Sequence, residues 1–216
     1  MFICDSYGIG KKMTNTVFDT LEVMSHATRY NRWIYETIKP YCKGKILEIG
    51  SGKGVIGKMF QDDGYDITMS DINGKFGIYF DVVKDVWSEK FDTIISINVL
   101  EHLDDDQWAI KNIMNMLNKN GKYIHFIPAI PRLYNVIDYN LGHKLRVDKY
   151  LFLNDQVKYF NALGILGWYF FGNILCRSKL GSEVGWFDRI VPLAKLIDKV
   201  FRNKIGLSLI VVGEKV

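Results

Sequence analysis

Glycine stands at every second position of Gly50-Ser51-Gly52-Lys53-Gly54, directly after the apolar run Ile46-Leu47-Glu48-Ile49. A strand that carries an acidic residue and then turns through glycines lets a ligand lie against bare backbone. Asp71 sits near the end of a second apolar run over residues 66–72, seventeen residues beyond Gly54. An acidic side chain placed there can accept hydrogen bonds from both hydroxyls of a ribose. The pair points to a cofactor that carries a nucleoside. A dinucleotide fingerprint would need a sixth-position glycine, where this chain has Val55. A P-loop would need a Gly-Lys-Ser/Thr, and none follows.

Residues 91–99 are apolar and β-branched, as a strand buried on both faces requires. They break into Asp104-Asp105-Asp106, which would cap a helix over about residues 107–117. A further strand is expected over residues 121–128. The pattern Glu48-x-Gly50-x-Gly52-x-Gly54, Asp71 and the segment Phe91-Asp92-Thr93-Ile94-Ile95-Ser96-Ile97-Asn98-Val99-Leu100-Glu101-His102-Leu103 together resemble the class I S-adenosylmethionine (SAM) methyltransferases. The resemblance implies SAM as cofactor. It implies an α/β fold: a seven-stranded, mostly parallel Rossmann-like sheet with helices on both faces and an antiparallel last strand. The whole chain, 1–216, would be one such domain, with an N-terminal helical cap over about 14–40 and an acceptor-side insertion over about 131–165.

Carried onto this sequence, the resemblance places Glu48, Gly50, Ser51, Gly52 and Gly54 at the methionine end of the cofactor. Glu48 could instead hold the loop by accepting backbone N–H bonds. Asp71 would take the ribose, with Ile72 beside the adenine. Asp81 matches the position that binds the adenine amino group, with Val82 next to it, or else serves only as a turn residue. Asn98, Val99 and Leu100 would close the far side. Tyr30, in Tyr30-Asn31-Arg32-Trp33, would cover the cofactor or pack between helices.

A sulfonium methyl is already activated, so the protein mainly aligns an acceptor and excludes water. A general base adds to this when the acceptor must lose a proton. His102, just past the fourth strand, is the first candidate and His143 the second. Leu141-Gly142-His143-Lys144-Leu145-Arg146 resembles a Gly-His-Tyr-Arg-Arg segment of one methyltransferase subfamily, with Lys144 and Leu145 departing from it. Arg146 could grip a phosphate or carboxylate of the acceptor, and Tyr139 is a further acceptor-binding candidate. His125 lies inside an expected strand and reads as a packed histidine.

The elements around these residues follow from periodicity. Helices are expected over residues 17–24, 28–39 and 154–163, and strands over 78–83, 167–173 and 207–213. Residues 133–150 read as an irregular, aromatic-rich insertion. Apolar residues at 186, 190, 193, 197 and 200 give a helix over 186–201 one apolar face, with Pro192 starting or kinking it.

Three widely spaced cysteines, Cys4, Cys42 and Cys176, argue against a disulfide framework and a zinc site, and for a reducing, cytoplasmic compartment. No metal site is expected. Residues 1–13 lack the apolar core of a signal peptide, and no apolar run reaches the ~18 residues of a membrane span. Residues 136–216 hold 12 Lys+Arg against 7 Asp+Glu, while residues 1–135 hold 16 against 17. That bias suits an anionic acceptor or peripheral contact with the inner face of a membrane. No basic cluster suggests nucleic acid. The resemblance to that methyltransferase subfamily implies O-methylation of a glycan, phosphate or lipid-linked cell-envelope acceptor. The rivals are methylation of a soluble aromatic small molecule, a non-catalytic SAM-binding module, and a nicotinamide-dependent oxidoreductase.

Overall fold

A computed structural model describes residues 13–177 and 179–216. Its strands are β1 (Ile46–Ile49), β2 (Ile67–Asp71), β3 (Ile78–Tyr79), β4 (Phe91–Ile97), β5 (Leu117–Pro128), β6 (Gln156–Phe160) and β7 (Ser208–Glu214). They form one sheet in the order β3-β2-β1-β4-β5-β7-β6. Neighbours from β3 to β5 pair in parallel. β7 alone is antiparallel and lies between β5 and β6. The helices are α1 (Met13–Ser25), α2 (Thr28–Ile38), α3 (Val55–Asp62), α4 (Asp106–Met116), α5 (Val136–Leu141), α6 (Ala162–Tyr169) and α7 (Glu183–Val200).

Side chains alternate between the faces of a strand, and here both faces are covered. Ile46, Ile95, Ile124 and Ile210 join a core with α2, α3 and α7 residues such as Ile34, Phe60 and Ala194. Leu47, Ile94, Ile127 and Leu209 join a second core with Ala109, Ile113 and Met116 of α4. Ile46, Leu47, Ile94 and Ile95 are completely buried, and each such side chain contributes about 1.5–3 kcal/mol. The run over 91–99 therefore reads as continuously apolar because neither face meets water. Asp105 caps α4 by accepting from the Trp108 amide at 2.8 Å.

The third quarter of the chain differs from expectation. Residues 156–160 form β6, not a helix, and the expected strand over 167–173 is α6 followed by a π-helical turn, Phe170–Ile174. Asn161, not Asn154, is the boundary. It takes φ +66 and its side chain accepts from the Gly164 amide at 2.8 Å, which caps α6. The third strand is two residues long, so Asp81 follows it in a turn. The insertion holds one short helix, α5, begun by a capping box of Asn135 and Asp138.

Helix α7 begins nine residues before Pro192, which sits on its exposed side. Its buried residues are Val191, Ala194 and Asp198, while Trp186, Ile190, Leu193 and Val200 point outward. Two carboxylates set this orientation. Asp188 accepts from the Tyr30 amide at 2.8 Å and the Arg29 amide at 3.3 Å, at the start of α2. Asp198 accepts from the Asn161 and Ala162 amides at 2.6 and 2.7 Å, at the start of α6. Residues 188, 191, 194 and 198 share one helical face, so docking both carboxylates on helix N-termini turns that face inward.

Cys42 is a free thiol. Cys176 is disulfide-bonded, a departure from the reduced cysteines suggested by their odd number. Among the described residues no helix is long and apolar enough to cross a membrane.

The trans-capping of α2 has a measurable weight. Asp188→Ala leaves two first-turn amides unpaired and should lower the unfolding free energy by about 1–2 kcal/mol in denaturant titrations.

Candidate active site

The loops after β1, β2 and β4 meet at the carboxyl ends of the parallel strands, where open α/β sheets bind ligands. They enclose a crevice of about 560 Å³, within the range of small-molecule sites. Its wall includes Glu48, Gly50, Ser51, Gly52, Asp71, Ile72, Asp81, Val82, Asn98 and Val99. Tyr30, His102, His143 and Arg146 line it too. Three expected residues fall outside. Gly54 starts α3 beneath the loop, Leu100 is buried in the α4-side core, and Tyr139 lies on the exposed side of α5.

Backbone forms most of the cofactor end. Gly50, Gly52 and Gly54 all have positive φ, and a Cβ on Gly50 would collide with Val99. The Ser51 amide donates to the Ser70 carbonyl at 2.9 Å, holding the loop against β2. Asp71 accepts from the amides of Gly52 at 2.8 Å and Asn73 at 3.0 Å, one on each carboxylate oxygen. Each oxygen keeps a free lone pair for a ribose hydroxyl. A Cβ on Gly57 would collide with Met69 Sδ and Glu48 Oε2, so this glycine permits the close approach of α3 to the sheet. The sequence shows Gly57 only as a glycine inside a helical pattern, which is a packing signal.

Glu48 is 2% exposed and its Oε2 has no hydrogen-bond partner; the buried Ser51 hydroxyl has none either. Both are orphaned polar atoms in the crevice wall, a costly arrangement that a polar ligand relieves. Burial pushes the Glu48 pKa up to about 8, with the Gly57 amide opposing and Asp71 reinforcing the rise. Asp81 serves as the turn residue as well as lining the crevice. Its Oδ1 accepts from the Val83 amide at 3.0 Å and Lys84 pairs with it at 3.0 Å. Asn98 takes φ +52 and donates its amide to the Phe126 carbonyl at 2.8 Å. Tyr30 packs edge-on against Trp33, Phe160 and Phe187 and also lines the crevice.

At the acceptor end the side chains form a buried network. Asp138 is fully buried and accepts from His143 Nδ1 at 2.8 Å, Arg146 Nε at 2.9 Å and Trp168 Nε1 at 3.1 Å. Arg146 Nη1 donates to the Ala129 carbonyl at 3.0 Å, and its guanidinium lies 4.6 Å from the Trp168 ring. These bonds hold the insertion to the sheet while Arg146 also lines the crevice. His102 is half-buried, its Nδ1 3.3 Å from the Gly142 carbonyl and its ring edge-on to His143 at 4.8 Å. Burial, with the neighbouring His143, pushes the His102 pKa down to about 4, so the ring is neutral at pH 7. His125 is the packed histidine expected, bonded through Nδ1 to Ser96 Oγ at 2.7 Å. Sequence reasoning passed over Asp138, Glu101 and Trp168. Of these only Asp138 carried a signal, the Asn135-x-x-Asp138 spacing of a capping box.

Glu48 gives a pH signature. A carboxyl whose folded pKa is raised stabilises the fold fully below its ordinary value near 4.5 and loses that contribution as pH climbs through about 8. Ligand-free protein should therefore lose stability over this window, and Glu48→Gln should flatten the slope in unfolding titrations at several pH values.

A family model described as a methyltransferase domain matches residues 16–160. An uncharacterized methyltransferase of Staphylococcus carnosus is 24% identical over 57% of this chain and 70% of its own length. A SAM-dependent methyltransferase structure from Archaeoglobus fulgidus superposes with a TM-score of 0.51 at 19% identity, covering 86% of this chain and 94% of that one. Phosphoethanolamine N-methyltransferase 2 of Haemonchus contortus, solved with SAM, gives a TM-score of 0.52 at 13% identity over 86% of this chain and 52% of that one. The chain spans about half the length of several solved methyltransferases that it matches. With a family match over more than half its length, the chain belongs to the methyltransferase domain family, and its fold is that of the solved SAM-dependent methyltransferases on which it superposes.

Proposed function

We propose that this methyltransferase transfers the methyl group of SAM to a hydroxyl oxygen of a glycan, phosphate-bearing or lipid-linked acceptor, working against the inner face of a membrane. The observation that carries the acceptor reading is the outward apolar stripe of α7. Trp186 and Val200 are each 70% exposed, and Ile190 and Leu193 are exposed between them. Lys199 is exposed on the same helix, and Arg189 lies 5.4 Å from the Trp186 ring. An exposed apolar face flanked by cations suits the boundary of an anionic lipid surface.

When bound, SAM supplies a methyl group already activated by a sulfonium. The chain's own groups bind and orient. Asp71 accepts the ribose hydroxyls, Ile72 and Val82 flank the adenine, and Asp81 accepts its amino group. The unpaired Glu48 Oε2 and Ser51 hydroxyl receive the polar methionine end. Asn98 and Val99 close the opposite wall, and Tyr30 covers the opening. His102 and His143 border the place where the acceptor meets the methyl group.

Asp71→Ala should weaken binding of the product S-adenosylhomocysteine by about 1–3 kcal/mol in calorimetry, the scale of hydrogen bonds to a charged group. For the acceptor, isotope-labelled SAM should mark a lipid-linked or glycan fraction of envelope extracts. The protein should also sediment with anionic vesicles. Trp186→Asp with Leu193→Asp should abolish sedimentation while S-adenosylhomocysteine binding stays intact. Label confined to soluble aromatic compounds, with no vesicle binding, would refute the membrane reading.

A further inference from the structure

Glu101, His102 and His143 bring three ligand-type side chains together at the acceptor end of the crevice. One donor atom from each lies within 4.8 Å of the other two. We propose that they bind a divalent first-row transition cation that holds and activates the acceptor oxygen. The role of the cation rests on the methyl-transfer reading above; its binding does not.

Three features support binding. First, Glu101 is completely buried and neither of its carboxylate oxygens has a hydrogen-bond partner. A buried carboxylate without donors is among the costliest arrangements in a protein interior, and a bound cation removes that cost. Second, both imidazoles are oriented as ligands. Asp138 Oδ1 lies 2.8 Å from His143 Nδ1 and fixes the ring, which turns Nε2 toward Glu101 Oε1 at 3.9 Å. The Gly142 carbonyl takes the same part for His102 Nδ1 at 3.3 Å. An outer acceptor fixing the tautomer of an inner histidine is the usual arrangement around protein-bound metals. Third, the backbone holds the two segments in register, since the Lys144 amide donates to the Glu101 carbonyl at 2.7 Å.

Two imidazoles and one carboxylate suit manganese, iron, cobalt or zinc better than calcium or magnesium, which prefer oxygen donors. Bonds of about 2.0–2.2 Å at tetrahedral angles put ligand atoms about 3.3–3.6 Å apart, so donor atoms now spread over as much as 4.8 Å close by about 1 Å on the ion. His102 and His143 line the crevice, whereas Glu101 sits behind them. The open coordination positions therefore face the acceptor. In the transfer, the acceptor O–H gives its proton to water, its oxygen bonds to the methyl carbon and the methyl–sulfur bond breaks, leaving a neutral thioether. A cation at this place eases the first event by withdrawing electron density from that oxygen.

The test is a Co2+ titration of chelator-treated wild-type protein, followed by visible absorption and calorimetry, with Mn2+ broadening of histidine ring resonances as the second readout. The expected result is one saturable equivalent of Co2+, with His102 and His143 broadened before the exposed His26. Glu101→Gln should weaken Co2+ binding by more than about tenfold. Because that variant changes a buried side chain, His102→Gln, at a half-buried position, is measured beside it, with circular dichroism to confirm folding. No saturable Co2+ binding, or broadening that ignores both crevice histidines, overturns the proposal. S-Adenosylhomocysteine affinity is measured on the same samples. Its presence without Co2+ binding sinks the cation site alone, whereas Co2+ binding without it leaves the site standing and removes the methyl-transfer role.

Discussion

The acceptor half of the molecule is organised by one carboxylate sealed from solvent. Asp138 cannot be ionised in an apolar interior unless donors surround it. It has the Asn135 amide, the His143 and Trp168 rings, and the Arg146 guanidinium. These donors come from α5, from the loop after it and from α6. Arg146 extends the same network to the carbonyls of Ala129 and Leu207, beside the ends of β5 and β7. A segment with little regular structure is thereby fixed to the sheet. A buried ion pair of this kind contributes little net stability, because desolvation offsets its attraction. Here it dictates which way the histidines face.

The two ends of the crevice are built on opposite physical plans. At the cofactor end the wall is mostly main chain, and its shape depends on side chains that are absent at Gly50 and Gly57. At the acceptor end the wall is side chain, and its shape depends on the bonds made to the buried Asp138 carboxylate. Glu48 and Glu101 depart from both plans, because each keeps an unpaired oxygen in the interior. The cost is tolerable in a fold whose strands are buried on both faces. A ligand at either point would then gain interactions that the free protein lacks.

Much of this was legible in the sequence. β1, β2, β4 and β5 could be read because a doubly covered strand must be continuously apolar, and the glycine loop because only glycine takes those turns cheaply. The exchange of β6 and α6 was not legible. Residues 162–169 carry almost no polar residue, so they show no apolar period that would mark a helix. The outward face of α7 was hidden for a different reason. Periodicity finds an apolar stripe, yet the helix is oriented by Asp188 and Asp198 reaching the starts of α2 and α6. The pairing of Arg146 with Asp138 was not legible because the two become neighbours only after folding. Glu101 was passed over because a lone acid beside a histidine has no signature until His143 is brought across from the insertion.

β7 is the last strand in the chain and fills a gap between β5 and β6, two strands made earlier. On the ribosome, the nucleoside-binding half can assemble while the polypeptide is still emerging. The opposite half must wait with two unfilled edges until β7 itself has emerged. A chain interrupted before β7 would keep the paired strands of the nucleoside-binding half and lack the strand that joins β5 to β6.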